Sequence, residues 1–340
     1  MERQQEQPLI GESQAFLDVL ERVSRVAQLD RPVLVIGERG TGKELIAARL
    51  HYLSPRWDRP FVKLNCAALA ESLLETELFG HEAGSFTGAT RRRLGRFELA
   101  HEGSLFLDEL ANTSDRVQEK VLRVIEYGEL ERVGGNDTIQ TDVRIIGATN
   151  EDLPALADKG QFRADLLDRL AFDVITLPPL RERQEDILPL AEHFAVKMAG
   201  ELGMELFEGF SDTARRQLLE YYWPGNVREL KNVVERAVYS SMGQNGDEND
   251  DHLIGDISFD PFDSPWRPGG EQNKPAAGTA PENPIEPYNF KEHIQDREIE
   301  LLQSALEICR FNQKKTAEFL GMTYHQLRGY LRKYDLTDTE

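Results

Sequence analysis

The stretch Gly37-Glu38-Arg39-Gly40-Thr41-Gly42-Lys43-Glu44 constrains this chain more than any other. It follows an apolar run rich in β-branched residues and opens directly into a helical pattern, the context that a phosphate-binding loop requires. Its glycines let backbone N–H groups surround phosphates, the helix N-terminus adds a favourable dipole, and Lys43 reaches the β and γ phosphates. Glu44 stands where Ser or Thr usually binds magnesium. A Gly-rich turn followed by a surface lysine is the plainer alternative, and the strand before and the helix after argue against it.

The surrounding pattern agrees. Apolar runs at 33–37, 61–64, 105–108, 143–148 and 172–177 alternate with helical patterns such as 43–53 and 117–127. That alternation predicts an α/β fold, a parallel sheet covered by helices on both faces. After Pro178-Pro179 strand signals stop and helical patterns follow near 185–199, 211–222 and 226–241. From Gly243 to Pro287 the chain is rich in Asp, Glu, Asn and Gly and holds seven Pro, a composition that cannot build a core and reads as a linker. Helix formers return at Asn289. The expected division is an α/β core over 1–177, a helical lid over 178–242, a linker over 243–288 and a helical domain over 289–340.

Composition narrows the class. With 40% hydrophobic and 29% charged residues in 340, the chain reads as an ordinary globular protein of two domains. No apolar run is long enough to span a bilayer, the start lacks the pattern of a secretory signal, and Cys66 and Cys309 make neither a disulfide framework nor a metal site. A cytoplasmic protein without membrane insertion is expected. The net charge of −20 taken alone argues against nucleic acid. Distribution overrides the sum, because Arg310 to Tyr334 holds six Lys and Arg against one acidic residue, Glu318.

Around the loop stand the residues that hydrolysis needs. Ser104-Leu105-Phe106-Leu107-Asp108-Glu109 is a buried strand ending in two carboxylates: Asp108 can hold Mg2+ and Glu109 can polarise the attacking water. Asn65 ends another strand and is expected to hydrogen-bond Glu109, or else to occupy a simple turn. Thr149 and Asn150 end a strand on the same edge, where open α/β sheets bind ligands, although helix capping before Asp152 is an equal reading. Arg163 and Arg169 can reach a γ-phosphate from a neighbouring subunit; spacing alone favours an ion pair of Asp165 with Arg169.

The last fifty residues carry a second motif. Residues 312–321 read as a short helix closed by Gly321, and Thr323 caps a basic helix that runs to Tyr334. A helix, a Gly-containing turn and a basic second helix form a helix-turn-helix. Thr323 to Tyr334 spans roughly 18 Å, suited to a major groove. Thr323, Tyr324, His325, Gln326 and Arg328 lie at its start, where His325, Gln326 and Arg328 reach base edges, and Arg332 and Lys333 suit phosphates. A basic surface helix is the plainer alternative.

Three long motifs in order identify a family. Glu77-Leu78-Phe79-Gly80-His81-Glu82 leads into Gly84-Ser85-Phe86-Thr87-Gly88-Ala89, the loop Gly37–Glu44 precedes it, and Trp223-Pro224-Gly225-Asn226-Val227-Arg228-Glu229-Leu230 follows. The chain resembles, over nearly its whole length, the sigma-54-dependent activators, which carry an AAA+ P-loop ATPase domain and end in a Fis-type helix-turn-helix. Glu44 is usual there. The resemblance implies ATP and Mg2+ as cofactors and a ring, usually a homo-hexamer, with ATP between subunits. It implies that Gly37 to Glu44, Asp108, Glu109, Thr149, Asn150 and Arg228 bind nucleotide, that Lys43, Asp108 and Glu109 serve hydrolysis, that Asn65 is a switch, that Thr149 and Asn150 are a first sensor and Arg228 a second, and that Arg163 and Arg169 are arginine fingers.

It also implies that Gly84 to Ala89 touches sigma-54. Gly84 and Gly88 free the backbone there, and Phe86 is an apolar tip costly to leave in water without a partner. Ser85 replaces the family's usual Ala. A second pore-facing loop is expected at 131–135. Remodelling of closed sigma-54 RNA polymerase complexes to open ones, and binding of double-stranded DNA at upstream sites, follow as expectations. A helicase loader or an unfoldase would not need the Gly84–Ala89 loop, and a passive DNA-binding regulator would not need Lys43, Asp108 and Glu109.

Few residues precede Leu9, where the motor begins, so no sensor domain is expected. The order of motor, linker and helix-turn-helix is similar to activators of phage-shock operons, which implies a phage-shock regulatory protein as an inhibitor in trans. Trp57 lies in Ser54-Pro55-Arg56-Trp57-Asp58-Arg59-Pro60, a charged loop bounded by prolines. It either packs beneath that loop or anchors the inhibitor.

Overall fold

The structure, a computed structural model, describes residues 9–86, 88–204, 206–244, 253–262, 295, 298–299, 301–302, 304–306 and 312–334. The chain divides into two units, Met1–Pro261 and Phe262–Glu340.

In the first unit, β1 (Val33–Ile36), β2 (Phe61–Asn65), β3 (Ser104–Asp108), β6 (Arg144–Thr149) and β7 (Asp173–Thr176) form a parallel sheet in the order β2-β3-β6-β1-β7. The expected strands form because both faces of the sheet are covered, so every position of a central strand gains from being apolar. Leu34, Leu105, Leu107 and Ile145 enter one core with α3 (Glu71–Phe79), α5 (Asp115–Tyr127) and α7 (Ala164–Leu170). Val33, Val35, Phe106, Ile146 and Ala148 enter the other with α1 (Gln14–Ala27) and α2 (Lys43–Tyr52). Each such fully buried side chain contributes roughly 1.5–3 kcal/mol. The short helices α4 (Arg96–Leu99) and α6 (Leu153–Asp158) complete the layers. Arg144, buried at the start of β6, donates to Val26 O at 3.1 Å and Ala27 O at 2.9 Å, satisfying carbonyls at the end of α1, and to Arg31 O in the following loop at 3.1 Å.

Register decides where the sheet places its loops. Ile36 pairs with Thr149 and Asn65 with Asp108, so the strand ends bearing Gly37, Asn65, Asp108 and Thr149 lie on one edge. Two strands were not expected: β4 (Glu129–Glu131) and β5 (Thr138–Gln140) pair antiparallel and enclose the turn 132–137. Three residues each are too few for an alternating pattern to stand out.

The helical layer consists of α8 (Ile187–Glu201), α9 (Asp212–Glu220) and α10 (Asn226–Gln244). Trp223 is buried between them and donates from Nε1 to Leu218 O at 2.8 Å. One expectation needs correction. The linker placed at 243–288 does not begin there, because Ile254 and Ile257 are buried in the core of this layer and Phe259 stacks on Tyr221 at 4.1 Å. Ile254 N also donates to Gly209 O and Ser211 N to Ile254 O. Isolated apolar residues in an acidic, Pro-containing run were enough to close this core. The rest of the expected linker, 263–288, lies outside the described residues.

In the second unit, α11 (Gln313–Phe319) and α12 (Tyr324–Lys333) pack with helical residues 301–302 and 304–306 around Leu302, Leu306, Ala317, Leu327 and Leu331. Cys66 is a buried free thiol, pushed up to about 12 by burial and by Asp108 and Glu109, and Cys309 lies outside the described residues. Among the described residues no helix is long and apolar enough to cross a membrane.

Candidate functional site

The phosphate loop joins β1 to α2, with Gly40 at φ 78° and Gly42 at φ 100°, values that an L side chain rarely adopts. Lys43 starts α2 and points back into the loop, its Nζ 2.8 Å from Gly37 O and 3.1 Å from Glu38 O. Burial lowers its pKa, against the opposing pull of Glu109 and Asp108. Thr41 Oγ1 donates to Glu38 O at 2.8 Å. Glu44 is exposed and pairs with Lys63 at 2.9 Å. Arg39 is exposed beside the loop.

Asp108 and Glu109 lie at the end of β3. Asp108 Oδ1 accepts from Glu109 N at 3.0 Å and Oδ2 accepts from Asn65 Nδ2 at 3.1 Å. The expected pairing of Asn65 with Glu109 is therefore corrected: parallel register sets Asn65 beside Asp108, while Glu109 is one residue beyond the ladder. Glu109 has φ 53° and ψ 44°, a left-handed conformation that costs a non-glycine residue about 1–3 kcal/mol and turns its carboxylate out of the strand direction. There it meets Asn150. With Nδ2 facing the carboxylate, the Asn150 amide donates to Glu109 Oε2 at 2.6 Å. Thr149 is buried, accepts from Glu151 N through Oγ1 at 3.0 Å, and offers its carbonyl to Gly37 N at 3.2 Å. Helix capping after this strand falls to Asp152, whose Oδ1 accepts from Ala155 N. That leaves Asn150 for the carboxylate.

Among the described residues no group of three His, Cys, Asp or Glu could hold a metal alone. A single Asp108 carboxylate beside a triphosphate loop nevertheless fits magnesium, which takes one or two carboxylates and fills its shell with water and phosphate oxygens.

Arg163 forms a two-pronged contact with Asp165, at 3.1 and 2.7 Å, and Arg169 pairs with Glu126 of α5 at 2.8 Å. The Asp165–Arg169 ion pair expected from spacing does not form, because the Asp165 carboxylate, in the first turn of α7, is taken by Arg163 at the helix N-terminus and Arg169 by Glu126. Arg169 is exposed and Arg163 half-buried.

The segment Gly84–Ala89 projects between α3 and α4. Gly84 N donates to Ala89 O at 2.7 Å and Ala89 N to Phe86 O at 3.0 Å, closing a tight turn. Gly84 and Gly88 have φ 81° and 105°. Phe86 is exposed, its ring edge-on to His81 at 5.0 Å. Thr87 lies outside the described residues. Ser85 Oγ is buried with no hydrogen-bond partner among the described residues, and Ser85 packs on Gly134, where a Cβ would sit 2.5 Å from its own. Arg132, in the turn between β4 and β5, ties the two loops together: it donates to Glu82 Oε1 at 2.8 Å and to Glu98 at 2.5 and 3.0 Å.

On α12 the Thr323 hydroxyl accepts from Gln326 N at 3.3 Å, and Gln326 Oε1 accepts from Thr323 N at 2.9 Å. In this reciprocal cap the Gln326 carbonyl oxygen serves the helix start, and the side chain remains exposed. Tyr324, His325, Arg328 and Arg332 are exposed, whereas Leu327 and Leu331 are buried. Lys333 is exposed, pairs with Glu298 at 3.5 Å and contacts Tyr334, which also donates to Glu298.

Comparison with known proteins bears on all three sites. The sigma-54 interaction domain family matches residues 9–176, the AAA+ ATPase lid domain family residues 181–252, and the Fis family of bacterial regulatory proteins residues 294–334. The Psp operon transcriptional activator of Escherichia coli (strain K12) is 57% identical over 328 residues, 96% of this chain and 98% of that protein. The chain belongs to the sigma-54-dependent activators. It is an ATPase with a DNA-binding helix-turn-helix, and sigma-54 and DNA are its partners. The Nif-specific regulatory protein of Azotobacter vinelandii is 45% identical over 95% of this chain, which spans 58% of that longer relative. The crystal structure of NtrX from Brucella abortus in complex with ATP aligns with TM-score 0.67 and 33% identity over 96% of this chain and 69% of that one.

Two features of this activator needed the tertiary structure. The first is a set of lid contacts to the phosphate loop: Arg181 grips Glu38 at 2.9 and 2.5 Å, and Asn226 Nδ2 donates to Glu38 Oε2 and to Arg39 O at 3.0 Å each. Arg181, then Asn226, hold Glu38 down to about 2. Arg228, the expected second sensor, is exposed, and a Cβ on Gly40 would lie 3.1 Å from its Cβ. The second is the choice between the two readings of Trp57. That residue stands 63% exposed, which excludes packing beneath its loop.

Proposed function

We propose that this activator couples ATP hydrolysis to remodelling of closed sigma-54 RNA polymerase complexes into open ones, from upstream DNA sites and at a phage-shock operon. The observation that carries this reading is the meeting, on one sheet edge, of the phosphate loop with Asp108, Glu109, Asn65 and Asn150, in a unit that also holds out the Gly84–Ala89 loop. Lys43 and the loop amides bind the phosphates. Asp108 would hold Mg2+, which would supply positive charge to the phosphate oxygens. Glu109 accepts a proton from the attacking water, and Asn150 and Asn65 hold the two carboxylates apart in their roles.

Arg169, exposed on α7, and Arg163, half-buried in the turn before it, complete the site of a neighbouring copy in a homo-hexamer. Their present partners, Asp165 and Glu126, hold them at the surface until a neighbour's phosphates compete. Residues 84–89 meet sigma-54, with Phe86 as the apolar contact. Arg328, His325 and Arg332 of α12 meet DNA. Trp57 meets a phage-shock regulatory protein that inhibits in trans, a role supported by its exposure and by the name of the relative at 57% identity.

The test is an open-complex assay on a sigma-54 promoter. ATP-dependent opening with sigma-54 polymerase, and none with polymerase carrying the major sigma factor, is expected. Equal opening with both would reject the reading.

A further inference from the structure

Asn226 spends every polar atom of its side chain on the junction between the lid and the phosphate loop. Its Oδ1 accepts from Leu180 N at 2.8 Å, and its Nδ2 donates to Arg39 O and Glu38 Oε2 at 3.0 Å each. It is fully buried, with φ 52°, in the turn that follows Trp223. Trp223 anchors that turn in the lid core, so the position of Asn226 follows the lid. Asn tolerates this left-handed backbone better than most residues. The turn also abuts Gly40, where a Cβ would meet Gly225 O at 2.2 Å.

Two more lid residues reach the same loop. Arg181 binds the Glu38 carboxylate, and the buried Arg183 donates from Nη2 to Thr41 O at 3.2 Å, near Asp186 at 3.9 Å and over the Phe16 ring at 4.8 Å. The lid therefore engages the carbonyls of Arg39 and Thr41. In a planar trans peptide, a carbonyl and the N–H of the next residue point in opposite directions. Turning Arg39 O and Thr41 O towards the lid turns the Gly40 and Gly42 N–H groups away from it, to the side where a phosphate oxygen would accept them.

We propose that Asn226, with Arg181 and Arg183, is a positioning residue that sets the direction of the phosphate-loop amides, so that ATP affinity follows the seating of the lid. The proposal rests on the nucleotide-site reading above. It gives the Trp223–Asn226 turn a task separate from that of Arg228: Asn226 shapes the binder rather than touching the ligand.

The test uses the full chain and ATP binding by calorimetry. Asn226→Asp is isosteric. It keeps the acceptor for Leu180 N but sets a carboxylate oxygen against Glu38 and Arg39 O. ATP affinity is expected to fall about tenfold, the scale of one lost charge-assisted hydrogen bond. Adding Glu38→Gln supplies an amide that donates to the new carboxylate and is expected to restore about threefold of that loss, which a general loss of structure would not allow. Parental affinity in Asn226→Asp, or a loss untouched by Glu38→Gln, overturns the proposal. If Asn226→Asp does not fold, Arg181→Ala carries the test: a fall of about threefold is expected from losing one partly exposed pair, and parental affinity overturns the proposal. Lys43→Ala separates the two readings. Parental ATP affinity in that variant would sink the nucleotide site itself, whereas loss there with parental affinity in Asn226→Asp would sink only the lid's role.

Discussion

Asn65 Nδ2 donates to Asp108 Oδ2 across 3.1 Å, and this leaves the neighbouring Glu109 to Asn150. Two adjacent carboxylates thus have different keepers. One is held at the strand ladder, and the other is turned out of it on a strained backbone. Glu109→Ala is expected to bind ATP like the parent and to lose turnover by about 10²–10⁴-fold, the usual contribution of a positioned base. Equilibrium binding and phosphate release, measured on one preparation, decide it. Parental turnover would remove Glu109 from the chemistry.

Among the described residues Arg163 pairs with Asp165 and Asp115, and Arg169 with Glu126. Both are expected to act across a subunit boundary. Mixing Arg169→Ala chains with Lys43→Ala chains should regain part of the ATPase activity that each lacks, because some interfaces then pair a sound loop with a sound finger. Mixed rings, verified by a tag on each variant, that stay inactive would place both arginines in structural ion pairs.

Ser85 replaces the alanine usual at its position, and its hydroxyl is buried without a partner among the described residues. Such a group costs about 1–3 kcal/mol. Ser85→Ala is therefore expected to leave ATPase activity unchanged and to hold the loop against Gly134 at least as well. Sigma-54 capture in the presence of a transition-state analogue should match or exceed the parent. Weaker capture would mean that the hydroxyl contacts the partner.

Arg56 fastens the Trp57 loop. Its guanidinium lies 2.6 Å from Asp30 and 2.8 Å from Asp142 and donates to Gly103 O at 3.2 Å. The tryptophan is thus presented on a rigid base. Trp57→Ala removes an exposed side chain, so stability should stay within about 0.5 kcal/mol of the parent. ATPase activity should persist, and inhibition by a phage-shock regulatory protein should vanish. Full inhibition of the variant would place that contact elsewhere.

Ile254 and Ile257 close the helical layer, so the boundary of the motor lies beyond them. A chain ending at Pro261 should keep ATPase activity and melt cooperatively. One ending at Gly243 strips two buried isoleucines at roughly 1.5–3 kcal/mol each and should melt at a clearly lower temperature. Equal melting temperatures would show that 254–257 only rests on the surface.

The sequence by itself determined what depends on neighbours along the chain. A β-branched run into a glycine-rich turn and a helix specifies the phosphate loop, and apolar runs buried on both faces specify five parallel strands. Thr323 three residues before Gln326 specifies the start of α12. These signals are periodic or local, and local backbone energetics suffice to read them. The tertiary structure alone decided partnerships between distant residues. Register placed Asn65 beside Asp108 rather than Glu109, and the return of the chain after α10 buried Ile254 in a run that composition marks as linker. Packing of the lid brought Arg181 and Asn226 to Glu38, 143 and 188 residues away. No period or spacing encodes such pairs. They form because the sheet and the lid, each folded for its own apolar core, bring polar groups into a buried junction where each must find a partner.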